Sequence, residues 1–247
     1  MQTDLTIVIP CFNEALRLPR TLTETRLYFE QSDKRVEVLV VSDGSTDNTR
    51  QIAEELFATL PSHMIGKVIE YFPNRGKGFA IARGMEAAQG ERILFMDADY
   101  AVPLSDLSKA ESALDEGYEI AIGSRALDDT VLIERQSFLR ERLSKLFGFI
   151  QRNWLGLKVM DTQCGFKLFT ARSAKAIFSQ VKLTSVTFDG EVLWLAKRLG
   201  FRVKEFPVQW THDQDSRITY TPLKAVYVFL DLLRIPWLHM QLTRKQS

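Results

Sequence analysis

The run Ile93-Leu94-Phe95-Met96 stops at two carboxylates one residue apart, Asp97 and Asp99. An apolar run of this length reads as a buried strand. Carboxylates are strongly hydrated and do not stay inside a sheet without a partner or a cation. The strand therefore ends where they begin. At the carboxyl end of a strand they open onto the crevice in which α/β sheets hold ligands. Mg²⁺ and Mn²⁺ take one or two such carboxylates and complete their shell with phosphate oxygens and water. The feature implies an α/β sheet and a metal-held diphosphate. Taken alone, Asp-x-Asp reads equally well as an acidic loop.

The same punctuation recurs along the first half. Leu5 to Pro10 and Val36 to Val41 are β-branched apolar runs, and a third strand is expected over residues 65–72. Helical patterns follow each, over residues 15–29, 48–60 and 79–88. This alternation predicts a mostly parallel sheet with helices on both faces. Further on, the pattern predicts a helix over 104–116, a strand over 119–123, and a loop over 126–135. It then predicts an amphipathic helix over 137–154, a strand over 164–170, a helix over 190–199 and a strand over 201–208. Residues 222–242 form an aromatic-rich tail with interspersed charges. One domain over residues 1–218 and an amphipathic helical tail over 219–247 are expected.

Composition narrows the function classes. The chain has 247 residues, 45% of them hydrophobic, which suits one well-buried α/β domain. A net charge of +1 carries no global footprint for nucleic acid. Cys11 and Cys164 make no disulfide framework, and His63, His212 and His239 make no zinc signature. No signal peptide and no apolar run of membrane-spanning length is seen. A cytoplasmic location is expected.

In a parallel sheet the loops after the first four strands lie on one edge and converge. They are Pro10 to Glu14, Asp43-Gly44-Ser45, Asn74 to Gly78, and Asp97-Ala98-Asp99. Asp43 suits a ring N–H of a nucleobase, although Asp-Gly-Ser-Thr also suits a turn into a helix cap. Lys77, between two glycines, suits a phosphate, or else is a solvated loop lysine. No GxGxxG follows the first strand, which weighs against a dinucleotide cofactor.

LTIVIPCFNE, VVSDGSTDNT, NRGKGFAIARG and FMDADYAVP, in this order, resemble family 2 glycosyltransferases of the GT-A fold. The finer resemblance is to the polyprenyl-phosphate group, especially dolichyl-phosphate β-glucosyltransferase-like proteins, over roughly residues 4 to 218. It implies a nucleotide-sugar pocket from Pro10, Asn13, Glu14, Asp43, Gly44, Ser45, Lys77, Asp97 and Ala98. It also implies a Mg²⁺ or Mn²⁺ site at Asp97 and Asp99. Ala101 stands where mannosyl-type members often carry Gln as a further metal ligand, which favours the glucosyl branch.

The resemblance extends to the acceptor side. Arg140 and Ser144 match an Arg-xxx-Ser motif near the lipid phosphate, on one face of the expected helix. Arg125 is expected beside them, since guanidinium forks suit phosphate. A solvated basic helix is the other reading of this segment. Asp161-Thr162-Gln163-Cys164-Gly165-Phe166-Lys167 resembles a motif beside the sugar, and Phe188-Asp189-Gly190-Glu191 one that carries an acceptor-side carboxylate. Asp189 reads either as that group or as a helix N-cap. Arg217 resembles a residue that closes over the donor diphosphate, or is a surface arginine. The tail suits a membrane surface, packing on the domain, or contact with a second copy.

The implied activity is inverting, metal-dependent transfer of a hexose, most simply from UDP-glucose, onto a polyprenyl phosphate at the cytoplasmic face of a membrane. GDP-mannose, another UDP-sugar or a saccharide hydroxyl acceptor are the alternatives within the family. A nucleotidyltransferase or a non-catalytic nucleotide-sugar-binding protein lies outside it.

Overall fold

The computed structural model describes residues 2–127, 130–132, 148–211 and 222–243. In chain order the elements are β1 (Thr3–Cys11), α1 (Leu18–Phe29), β2 (Val36–Asp43), α2 (Thr49–Phe57), β3 (Met64–Tyr71), α3 (Lys77–Ala87) and β4 (Gly90–Met96). A 3₁₀ turn over Leu104–Asp106 then leads into α4 (Leu107–Asp115), β5 (Ile120–Ser124) and β6 (Val131–Leu132). After the helical residues 148–155 (α5) come β7 (Phe166–Thr170), α6 (Ala171–Phe178), α7 (Phe188–Arg198), β8 (Val203–Pro207), β9 (Gln209–Trp210), α8 (Pro222–Leu238) and α9 (Met240–Thr243).

Seven strands make one sheet in the order β3-β2-β1-β4-β7-β5-β8. Its pairings are parallel except at β7, which runs antiparallel to both β4 and β5. β6 and β9 pair separately, in parallel. Side chains alternate across the sheet with period two. Leu5, Ile7 and Ile9, Val38 and Val40, Leu94 and Met96, and Phe166 and Leu168 fill a core with α1, α2 and α4. Val8, Leu39 and Val41, Ile93 and Phe95, and Phe169 fill the opposite core with α3, α5, α6, α7 and α8. Both faces are covered, as a central parallel sheet requires.

Some boundaries differ from expectation for local reasons. α1 starts at Leu18 because the Glu14 carbonyl first closes a turn on Arg17 N and Leu18 N, and Pro19 sits in the first helical turn. α3 starts at Lys77 because Gly76, at φ +96°, bends the chain and its carbonyl accepts from Phe79 N and Ala80 N. α6, unforeseen, is an eight-residue helix capped by the Thr170 hydroxyl on Ser173 N (3.2 Å).

The inner face of α8 packs on the domain through Leu232 and Ile235. The segment before α7 and its first turn hold α8 and the residues after it. Ser185 Oγ donates to Asp231 Oδ2 (2.7 Å), Lys182 Nζ to the Leu238 carbonyl (2.6 Å), and His239 Nε2 to Glu191 Oε1 (2.6 Å). The outer face exposes Val226, Tyr227, Phe229, Leu230 and Trp237. Among the described residues no helix is long and apolar enough to cross a membrane.

Candidate active site

The loops after β1 to β4 meet at the carboxyl edge of the sheet and tie one another in place. Asn13 N donates to Ser45 Oγ (3.1 Å), and Asn13 Oδ1 accepts from Thr46 N (2.7 Å). Asn13 holds φ +57°, a left-handed conformation that Asn tolerates better than most residues. Gly44, at φ +70°, passes so close to the next loop that a Cβ there would lie 2.6 Å from Asn74 N. The Asp43 carboxylate accepts from Arg75 N (2.7 Å) and Gly76 N (2.8 Å) and is buried. Its first task is thus to shape the loop that presents Lys77. The Glu14 carboxylate grips Arg17 through Nε (2.7 Å) and a second nitrogen (2.5 Å). Pro10 is the last but one residue of β1, paired with Val41. The Ala98 carbonyl accepts from Thr21 Oγ1 (2.6 Å).

Lys77 is the first residue of α3, and its ammonium lies 2.7 Å from Asp97 Oδ1. Lys77 is thus neither in a loop nor a free lysine, although about a third of its side chain stays exposed: Gly76 and Gly78 pack the turn against Thr184 and Phe188, and the ammonium pairs with Asp97. Burial works against its charge, but Asp97, Asp189 and Asp99 outweigh burial and raise its pKa. Asp97 follows β4 directly, with its N–H donating to the Gly165 carbonyl (3.1 Å). A methyl group at position 165 would overlap the Asp97 carboxylate. Asp99 Oδ1 accepts from Ala101 N (3.1 Å), and Tyr100 between them holds φ +54°. Burial first, and the Asp97 charge second, push Asp99 up to about 6. Two carboxylates that oppose each other's ionisation fit a shared cation. Among the described residues no cluster of three or more His, Cys, Asp or Glu forms. This donor set fits Mg²⁺ or Mn²⁺ completed by a ligand's phosphate oxygens, and does not make an all-protein cage.

On the far side, Asp189 lies in the first turn of α7, and the residue at the cap position is Thr187. The helix-cap alternative is corrected: the Asp189 carboxylate turns inward and accepts from Lys167 Nζ (2.5 Å). Burial raises its pKa, and Lys167 and Lys77 offset only part of that. Arg125 is committed to a fork on Asp161, with Nε and a terminal nitrogen at 2.7 and 3.0 Å. Burial works against the Asp161 charge, yet Arg125 holds its carboxyl below the usual range. Arg140, Ser144 and Arg217 lie outside the described residues.

Residues 6–178 match the model of glycosyl transferase family 2. The chain belongs to that family. It is 38% identical over 229 residues to the dolichyl-phosphate β-glucosyltransferase of Drosophila melanogaster, spanning 87% of this chain and 69% of that one. It is 37% identical to the Homo sapiens protein of the same description, with the same shares covered. For the Saccharomyces cerevisiae protein the identity is 33%, over 94% of this chain and 73% of that one. Among solved structures, it is similar to the glucosyl-3-phosphoglycerate synthase of Mycobacterium tuberculosis in complex with Mn²⁺, UDP-glucose and phosphoglyceric acid. The TM-score there is 0.66 at 16% identity, over 94% of this chain and 79% of that one. The mixed, mostly parallel sheet flanked by helices is the GT-A architecture that the resemblance implied.

Within this family 2 glycosyltransferase, Arg17 went unassigned in the sequence, and Asp161, Gly165 and Lys167 were placed beside the sugar only as parts of a motif, without roles of their own. Lys167 arrives on β7 and Gly165 just before it, and no local pattern reveals the direction of that strand. Arg17 is held by Glu14 and draws the Asp99 carboxyl down electrostatically. Asp161 is the ion-pair partner of Arg125, the arginine expected at a phosphate. Besides that motif, a lysine flanked by Phe166, Leu168 and Phe169 was a signal, because such a charge cannot be buried without a partner.

Proposed function

We propose that the protein transfers glucose from UDP-glucose to a polyprenyl phosphate with inversion, giving a β-linked polyprenyl phosphate glucose. The observation that carries this is the 38% identity to a dolichyl-phosphate β-glucosyltransferase over 87% of the chain. The edge built around Lys77, Asp97 and Asp99 supports it. Asp43 and the loops it ties hold the nucleoside side of the donor, and Asp97 and Asp99 hold the Mg²⁺ or Mn²⁺. When bound, that cation supplies positive charge to the departing diphosphate. Lys77 stands at the same carboxylate with a second positive charge for the diphosphate oxygens, worth most in a dry site.

A phosphate monoester is already ionised near neutral pH (second pKa about 6). Its oxygen attacks the anomeric carbon without giving up a proton. The bond from that carbon to the diphosphate oxygen breaks, and its electron pair leaves with UDP. Asp189 therefore acts as a fixed anion that orients sugar or acceptor, not as a base. Arg140, Ser144 and Arg217 are assigned to the two phosphate groups by resemblance. Arg125 braces the acceptor side through Asp161. Residues 1–218 form the transferase domain, and residues 219–247 a tail that rests on the cytoplasmic face of the membrane through the outer side of α8.

The test is transfer of radiolabel from UDP-glucose, with Mn²⁺ or Mg²⁺, into solvent-extractable polyprenyl phosphate. Label in the lipid phase is expected. No label with UDP-glucose, but label with GDP-mannose, would overturn the assigned donor.

A further inference from the structure

We propose that Lys167 is a positioning residue for the acceptor-side carboxylate: its ammonium, anchored on the Cys164 carbonyl, fixes one oxygen of Asp189 and leaves the other for substrate. The inference rests on the transfer centre described above. The Lys167 side chain is 1% exposed. Its Nζ donates to Asp189 Oδ1 (2.5 Å) and to the Cys164 carbonyl (2.7 Å), and lies 5.4 Å from the centroid of the Phe95 ring. Among the described residues no hydrogen bond is made to the other Asp189 oxygen.

A buried ion pair is commonly replaced by apolar groups of similar volume at no loss, whereas one left unpartnered is strongly unfavourable. What the pair does supply is direction. Lys167 pairs with Phe95 of β4, and Gly165, two residues earlier in the extended chain entering β7, lies against Asp97. Residues two apart on a strand share a face. β7 and the residue that leads into it therefore set Asp97 on the donor side through Gly165 and Asp189 on the acceptor side through Lys167. Asp189 and Lys77 also feel each other's charge, so the four groups alternate in sign: Lys167, Asp189, Lys77, Asp97. Without Lys167, the buried Asp189 carboxyl takes a proton or turns away, and the spacing of the two sides is lost.

The test compares wild type, Lys167→Met, Lys167→Arg, Asp189→Asn and the Met/Asn double variant, as full chains, with UDP-glucose and a short polyprenyl phosphate. Lys167→Met lowers kcat on the order of 100-fold, as a displacement of about 1 Å does. It raises the acceptor KM and leaves the donor KM alone, and Lys167→Arg keeps more activity than Lys167→Met. In the Asp189→Asn background, Lys167→Met costs nothing further, since the group it positions is gone. Additive losses, or a Lys167→Met enzyme as active per folded molecule as wild type, overturn the proposal. If Lys167→Met does not fold, the double variant, which buries no charge there, is compared with Asp189→Asn alone. If wild type moves no glucose to any acceptor, the functional reading fails separately. The pairing is then read from melting temperatures: each single variant lowers it, and a double variant no more stable than the worse single overturns the pairing.

Discussion

Asp99 is the residue at which folding and proton binding compete, together with the cation proposed there. Its carboxyl titrates at about 6 in the folded chain, above the unfolded value of about 3.9. A carboxyl raised on folding binds its proton more tightly in the native state. Its contribution to stability is therefore full below about pH 4 and is lost as pH rises to about 6. A divalent cation favours the ionised form and offsets that loss. The rise in melting temperature on adding Mn²⁺ should then be small at pH 5 and larger at pH 7.5, measured by differential scanning fluorimetry. Asp99→Asn should flatten this difference and abolish metal-dependent transfer, with circular dichroism unchanged. Equal metal-induced shifts at both pH values would count against Asp99 as a ligand. Cys11 and Cys164 need no such account, because burial pushes both thiols up, Cys164 to about 12, and they titrate far from neutrality.

At the scale of elements, the parallel half of the sheet was legible and the antiparallel insertion was not. β1 to β4 announce themselves as apolar runs that stop at polar loops, and the short crossovers allow little but a parallel order. A strand was expected over 164–170, and β7 forms over Phe166–Thr170. A strand buried on both faces carries no mark of its direction or its neighbours, and its place between β4 and β5 is a long-range choice. The partner of Arg125 escaped the sequence for the same reason. Its partner Asp161 is 36 residues away, and the Asp161 N–H is held in turn by Glu205 on β8 (2.8 Å). The Arg125–Asp161 fork thus ties β5, β8 and the loop before β7 together. Asp161 is nearly buried and Arg125 about a quarter exposed. Asp161→Asn should cost about 3 kcal/mol, the lower end for a broken buried pair. For a chain of this size that is a fall of roughly 6–12 °C in melting temperature. A change under about 2 °C would show that the fork contributes little to the fold.

The whole molecule has one side that neither the sheet nor the site explains. α8 turns Leu232 and Ile235 into the core, so its docking is already satisfied on that face. Its outer face still presents Val226, Tyr227, Phe229, Leu230 and Trp237, and Trp154 of α5 meets Trp237 with ring centroids 6.3 Å apart. An apolar band of this kind on a docked helix suits the headgroup boundary of a bilayer, where aromatic rings are favoured. The proposed acceptor is a lipid, so contact at this side would bring the enzyme to its substrate. The segment that holds α8 also cradles the start of α3 and leads into the turn that bears Asp189, so the docked tail and the Asp189 side of the site form one body. Replacing Tyr227, Leu230 and Trp237 together by Ser should weaken flotation with anionic vesicles. Half-burial of three such side chains is worth about 3 kcal/mol, or roughly a hundredfold in partitioning. Transfer to a short, water-soluble polyprenyl phosphate should stay near the wild-type rate, while transfer to a long acceptor held in vesicles falls. If vesicle binding is unchanged and both acceptors respond alike, the outer face of α8 is not where this protein meets the lipid.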